Sequence, residues 1–298
     1  MGERLPLRID GPAVPPLRVE TVSGGRLMVR QGAEPVLFGV QRVTHRGLHY
    51  ARTGRYVSPV PPLRAERARA FAASRDAPGR WSHHFRAALR ASTDGPLHEG
   101  DWRLLDSLPG WFADANWPKL LAHDPERGHL TWFGYGDPVE DARDLLPLRR
   151  LSAPDAPRVK AYRRQYREGV LPPVLLWWIS GLNSPVVLDG HDRLTAALAE
   201  GGRPELLVLT RAVPDGWAGQ AMGRRVEGYQ EHVRAREREG GPLSALLIAH
   251  ESRRFAADLT ALEDSAALTR GWPLAGGPDA WQRAVDAYAP GWAPDPAG

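Results

Sequence analysis

Apolar positions along this chain switch between two periods, and the switches mark the elements. Aliphatic and β-branched residues over Arg26–Arg30 and Pro35–Val40 flank Gly32-Ala33, which predicts two strands joined as a hairpin. Residues 1–20, rich in proline, read as irregular. His45, Arg46, His49 and Tyr50, interrupted by Gly47 and Gly54, read as a solvated polar loop rather than a helical metal site. Helical spacing follows over Arg64–Ala73 and again over His83–Ala91, where Phe85, Ala88 and Leu89 share a face. The tryptophan-bearing stretch from Thr93 to Trp117 predicts core or interface packing. A short helix at Trp117–Ala122, a short strand at Leu130–Phe133 and a turn at Gly134–Pro138 follow. The charged run Glu140–Asp144 is the expected domain boundary.

Beyond it the pattern tightens. Leu145–Leu151 is apolar with its arginines facing out, and Ser152–Pro157 has the punctuation of a helix start, with Asp155 placed for an N-cap. Val159, Tyr162 and Tyr166 share one helical face, and Gly169 ends that helix. Val174–Ile179 and Leu206–Leu209 predict strands. Between them, Val186–Leu188 predicts a buried strand, Asp189-Gly190 a turn, and Leu194, Ala197 and Leu198 a helix that Gly201 can close as a left-handed cap. The last third is helical in pattern, led by the stripe Ala218, Met222, Val226, Tyr229 and Val233. The expected organisation is α+β. An N-terminal α/β extension (1–143) precedes a small mixed-sheet module (144–212), and a helical C-terminal region (213–298) follows.

Composition changes this picture little. Of 298 residues, 42% are hydrophobic and 25% charged, which is ordinary for a globular protein. A net charge of +4 is too modest to demand a nucleic-acid partner. The absence of cysteine excludes disulfides, thiolate metal sites and a cysteine nucleophile. With no signal-peptide pattern and no apolar run of membrane-spanning length, the expectation is a soluble, cytoplasmic protein without membrane contact.

The chemistry concentrates at Asp189–Arg193. A strand that enters a helix through a glycine aims unpaired N–H groups and the positive end of the helix dipole at one point, which favours an anion. An arginine in the first turn gains nothing from that dipole, so Arg193 is best explained by an anion bound there. His191 can donate to a phosphate or relay a proton, or be a turn histidine bonded to backbone. Asp189 can hold Mg²⁺ beside phosphates or be an ordinary Asp-Gly turn residue. Asp192 can be an N-cap.

Taken in order, Leu-Pro-Leu-Arg-Arg-Leu, Glu-Gly-Val-Leu-Pro-Pro-Val-Leu-Leu-Trp-Trp-Ile and Asp-Gly-His-Asp-Arg-Leu-Thr-Ala-Ala resemble the ParB/sulfiredoxin superfamily over residues 145–210. The resemblance implies nucleotide phosphates held at the turn by Gly190, His191, Asp192, Arg193 and Thr195. A conventional sulfiredoxin needs a cysteine where this chain has His191. ParB partition proteins carry a second arginine-rich motif and a helix-turn-helix that do not stand out here. The turn is most similar to that of the free-serine kinase branch. That similarity implies ATP or ADP with Mg²⁺ at Asp189, a catalytic carboxylate at Asp155, and phosphoryl transfer, with His191 taking part, to a small hydroxyl-bearing acceptor. The acceptor pocket would draw on the flanking regions and on one of Trp177 and Trp178. The alternative is a non-catalytic, nucleotide-dependent regulatory or DNA-binding protein. A nuclease is disfavoured because no dense cluster of carboxylates and histidines is evident.

Overall fold

The structure is a computed structural model that describes residues 5–42, 47–72, 77–106, 117–131, 145–212, 217–241, 244–249, 252, 255 and 268–294. It is an α+β protein with two mixed six-stranded sheets. The first half contributes strands β1 (Leu5–Ile9), β2 (Leu17–Val22), β3 (Arg26–Gln31), β4 (Glu34–Arg42), β5 (Gly47–Arg52), β6 (Gly100–Leu105) and β7 (Arg127–Thr131). Its helices are α1 (Ala65–Ala72), α2 (Ala77–Ala91) and α3 (Trp117–Ala122). The second half adds β8 (Leu146–Pro147), α4 (Pro157–Arg167), β9 (Val174–Ile179), β10 (Ser184–Asp189), α5 (His191–Ala199), β11 (Leu206–Arg211), α6 (Trp217–Glu239), β12 (Gly271–Pro273) and α7 (Gly277–Tyr288).

One sheet runs β1-β6-β11-β9-β10-β8 and the other β12-β2-β3-β4-β5-β7. Their inward residues meet in one continuous core: Leu175, Trp177 and Ile179 of β9 and Val186 and Leu188 of β10 join Leu27, Val29, Leu37 and Leu48 of the second sheet. Trp81, Phe85 and Leu89 place one face of α2 in the same core. All six residues of β9 are buried, as expected for a strand covered on both faces. α7 covers the other side of the second sheet, where Trp281 and Val285 pack on Met28, Phe38 and Val40.

Two compact units result, one comprising residues 1–211 and 268–298, the other 212–267. Residues 1–143 and 144–212, expected as separate segments, therefore share a unit. The reason is β6, which pairs with β11 and carries β1 on its other edge. The C-terminal region is divided as well: α6 and the helical residues 244–249 form the second unit, while β12 pairs with β2 and returns the last residues to the first. Within the smaller unit, Tyr229 and Phe255 stack with ring centres 4.2 Å apart.

Two local expectations are overturned. Residues 1–20 hold β1 and β2, because Leu7, Ile9, Leu17 and Val19 alternate inward and Pro6 sits on a strand at the sheet edge, where a missing N–H is tolerated. His49 and Tyr50 are not in a loop but in β5. Gly47 does not break that strand; it lets β7 close in, since a Cβ there would lie 2.5 Å from the Leu130 carbonyl oxygen. His49 instead faces His129 across the ladder, with ring centres 4.5 Å apart. His45, Arg46, Trp111, the Gly134–Pro138 turn and the Glu140–Asp144 boundary lie outside the described residues.

Candidate phosphate-binding turn

β10 and α5 meet at Gly190, the N-cap of α5, with a left-handed φ of 93° and no side-chain cap. Leu194 makes the first helical bond, to the Gly190 carbonyl at 2.8 Å, so the N–H groups of His191, Asp192 and Arg193 have no partner within the helix. At the far end Gly201 takes φ 74° and its N–H reaches the Leu198 carbonyl, closing the helix. The N-terminal end opens onto a cavity of about 340 Å³ bordered by Gly190–Arg193, Asp189, Arg149, Arg158, Tyr162 and the Tyr56–Pro62 segment.

The charged groups divide into a buried layer and an outer one. Arg193 is 3% exposed; its Nη2 donates to the Pro173 carbonyl at 3.0 Å and to Asp189 Oδ2 at 2.8 Å, and its guanidinium lies 5.9 Å from the Phe85 ring centre. Its Nε is buried without a hydrogen-bond partner. The absent side chain of Gly190 makes room for this guanidinium, because a Cβ would sit 2.7 Å from Nη2 and 2.9 Å from Cζ. Arg193 therefore forms the floor of the turn rather than reaching out from it. Asp189 accepts from Ser58 Oγ at 2.7 Å as well as from Arg193.

Asp192 is buried and is not the N-cap. Its Oδ1 accepts from Arg149 Nη2 at 3.0 Å and Ser152 Oγ at 2.7 Å, and its Oδ2 lies 3.4 Å from Arg158 Nε. Arg149 and Arg158 keep 38% and 60% of their side-chain surface exposed at the cavity rim, and both pair with the buried Asp192. His191 is buried, and its Nε2 accepts from the Arg149 backbone N–H at 3.3 Å. Burial, with the charges of Arg149, Arg52 and Arg193 behind it, holds its pKa well below the usual histidine value, so the ring is neutral and Nδ1 carries the hydrogen. Tyr56 donates to the Leu188 carbonyl; its hydroxyl pKa is raised well above 10 by burial and then by Asp189, so it stays protonated.

Two expected site residues stand apart. Asp155 is exposed, does not border the cavity, and is not the N-cap of α4; that position is Ala156, which has no side-chain cap bond. The register is set by Pro157, whose fixed φ suits the first helical position. Thr195 is fully buried and donates to the His191 carbonyl at 3.1 Å, a bond within the helix that takes its hydroxyl out of the cavity. Trp177 and Trp178 are both buried and neither borders the cavity. Conversely, Arg149, Arg158, Tyr56 and Ser58 were not singled out from sequence. Arg149 follows β8, which pairs with β10, and Ser58 is 131 residues from its partner Asp189, a contact that no local pattern encodes.

The residues present do not fit a protein-built Mg²⁺ site. Both Asp189 oxygens already accept hydrogen bonds, one from a guanidinium, and no group of three or more His, Cys, Asp or Glu side chains could hold a metal among the described residues. They do fit an anion: three guanidinium groups and a helix N-terminus face two carboxylates and a neutral imidazole. The fold is α+β, and its β10–Gly190–α5 turn brings a helix N-terminus and the Arg149, Arg158 and Arg193 guanidinium groups to one cavity. No family model matches the chain, and no curated protein or solved structure matches it either. No helix among the described residues is long and apolar enough to cross a membrane.

Proposed function

We propose that the chain binds a nucleotide, ATP or ADP, with its phosphates at the Gly190 turn, and transfers a phosphoryl group to a small hydroxyl-bearing acceptor. The observation that carries this reading is the convergence of the free N–H groups of α5 with Arg149 and Arg158 on one cavity. In this proposal the backbone N–H groups of His191 and Asp192 cradle one phosphate, and Arg149 and Arg158 neutralise the outer oxygens. Arg193 and Asp189 hold the turn in place from below. Phosphoryl transfer depends mainly on positioning and electrostatics, so such a set suffices for the donor half of the reaction. Incubating the purified protein with labelled ATP or ADP and a pool of hydroxyl-bearing metabolites should yield a phosphorylated product by mass spectrometry. Nucleotide-saturated protein that forms none overturns the transfer step.

A second reading, a nucleotide-dependent regulatory or DNA-associated protein without catalysis, draws support from the position of Asp155. The expected base is exposed and does not border the cavity. This reading predicts nucleotide binding without product, and any nucleic-acid binding would weaken steeply with salt.

A further inference from the structure

Among the described residues bordering the cavity at the Gly190 turn, Ser58 carries the only aliphatic hydroxyl, and it is half-buried there. Its Oγ donates to Asp189 Oδ1 at 2.7 Å and accepts from the Val60 backbone N–H at 3.2 Å. The Val60 carbonyl, also 3.2 Å away, competes for the hydroxyl proton at the longer distance. A hydroxyl has one proton and two lone pairs. With the proton on Asp189 and one lone pair on the Val60 N–H, one lone pair is left for an electrophile. The other oxygen of Asp189 is held by Arg193 Nη2 at 2.8 Å, which fixes the carboxylate and leaves Oδ1 to Ser58. Tyr56 donates to the Leu188 carbonyl, so the Tyr56–Ser58 segment is tied to the end of β10 at two points, next to Gly190.

A second serine–aspartate pair shows what is particular to this one. Ser152 Oγ donates to Asp192 Oδ1 at 2.7 Å, but it shares that oxygen with Arg149 Nη2. Ser152 also borders a different cavity, beside Asp124 and Arg150. Only the Ser58–Asp189 pair combines a hydroxyl, a carboxylate on its proton and the guanidinium groups of Arg149 and Arg158 around one cavity.

We infer that Ser58 is a self-phosphorylation site: its Oγ takes the γ-phosphoryl group of bound ATP within the same chain, and the phosphoserine then closes the site to further nucleotide. This rests on the nucleotide reading above and adds a regulation of that site. In the step, a bond forms from Ser58 Oγ to the γ-phosphorus as the bond from that phosphorus to the β,γ-bridging oxygen breaks. The bridging oxygen keeps the electron pair and leaves with ADP, and the Ser58 proton passes to Asp189 Oδ1. Arg149 and Arg158 offset the charge of the transferring group. The proton gained by Asp189 removes a negative charge that would otherwise face the new phosphate. Phosphoserine beside a helix N-terminus and two guanidinium groups is well accommodated. It occupies the space a second γ-phosphate needs, so the reaction stops at one phosphate per chain.

The test incubates the full chain with ATP labelled in its γ-phosphate, Mg²⁺ as its counter-ion and no added acceptor, followed by trypsin digestion and mass spectrometry. The peptide Tyr56–Arg64, which lies between two arginine cleavage points, should gain one HPO₃. Fragment ions should place it on Ser58 rather than Tyr56, and the rate per chain should not depend on protein concentration. Ser58→Ala should abolish the gain, and Ser58→Thr, which keeps a hydroxyl at that position, should retain it. Asp189→Asn should slow it by about 100-fold or more. The phosphorylated chain should bind ATP at least tenfold more weakly in calorimetry. If ATP binds and Ser58 stays unmodified, or Ser58→Ala takes up as much phosphate as the intact chain, the inference is overturned while the nucleotide site stands. If ATP does not bind, both fall.

Discussion

Replacing Gly190 by alanine attacks the turn at the point where backbone and charge meet. Two costs add. A residue with a side chain at φ 93° loses about 1–2 kcal/mol relative to glycine. The new Cβ also falls 2.7–2.9 Å from the Arg193 guanidinium, which cannot swing aside freely because it is buried and tied to Pro173 and Asp189. Displacing it gives up hydrogen bonds to or from charged groups, worth about 1.5–3 kcal/mol. Gly190→Ala should therefore cost about 2.5–5 kcal/mol, from adding those two ranges. Gly201→Ala is the matched control: φ there is 74°, but nothing lies within 4 Å of the added Cβ. It should cost about 1–2 kcal/mol, the backbone share alone. Urea unfolding of both variants, read as midpoint at unchanged slope, separates the two costs. If Gly190→Ala proves no more damaging than Gly201→Ala, the packing of Arg193 against the turn is refuted.

Two further outcomes concern His191 in the turn and Asp155 outside it. His191 binds its proton more weakly in the folded chain than the usual 6.5, so below that pH the unfolded state takes up a proton the folded state refuses. Stability should therefore fall as pH drops below 6.5, by up to about 1.4 kcal/mol per pH unit from this residue, and be flat with respect to it above. A His191 ring that titrates near 6.5 by NMR contradicts this. Asp155→Asn should change unfolding stability by less than about 0.5 kcal/mol, because the side chain is exposed and caps no helix; a loss near 1 kcal/mol in urea would restore the capping role.

How much of this was legible in the sequence varies with the range of the interaction. The run Val186–Gly201 was readable because strand, glycine turn, helix and left-handed cap are local, and the structure places β10, Gly190, α5 and Gly201 there. The hairpin around Gly32 was readable for the same reason. The roles of the charged residues were not. Arg193 reads as an anion ligand by its place in the first helical turn, yet Pro173, Asp189 and Phe85 turn it inward. The cations left facing the cavity are Arg149 and Arg158, positioned by Asp192, and nothing in the spacing of 149, 158 and 192 announces that meeting. The strands of residues 1–20 were hidden because proline content outweighed a short alternation that only the partner strands β3 and β6 make worthwhile.

The central claim is that a nucleotide's phosphates bind at the Gly190 turn through Arg149 and Arg158. Calorimetric titration of the full chain with ATP, and of a variant carrying Arg149→Gln and Arg158→Gln, addresses it most directly. The account predicts saturable binding that weakens with salt, and a loss of about 100-fold or more in the double variant from two charge-assisted contacts. No ATP binding by the intact chain, or equal affinity in the folded double variant, would contradict it.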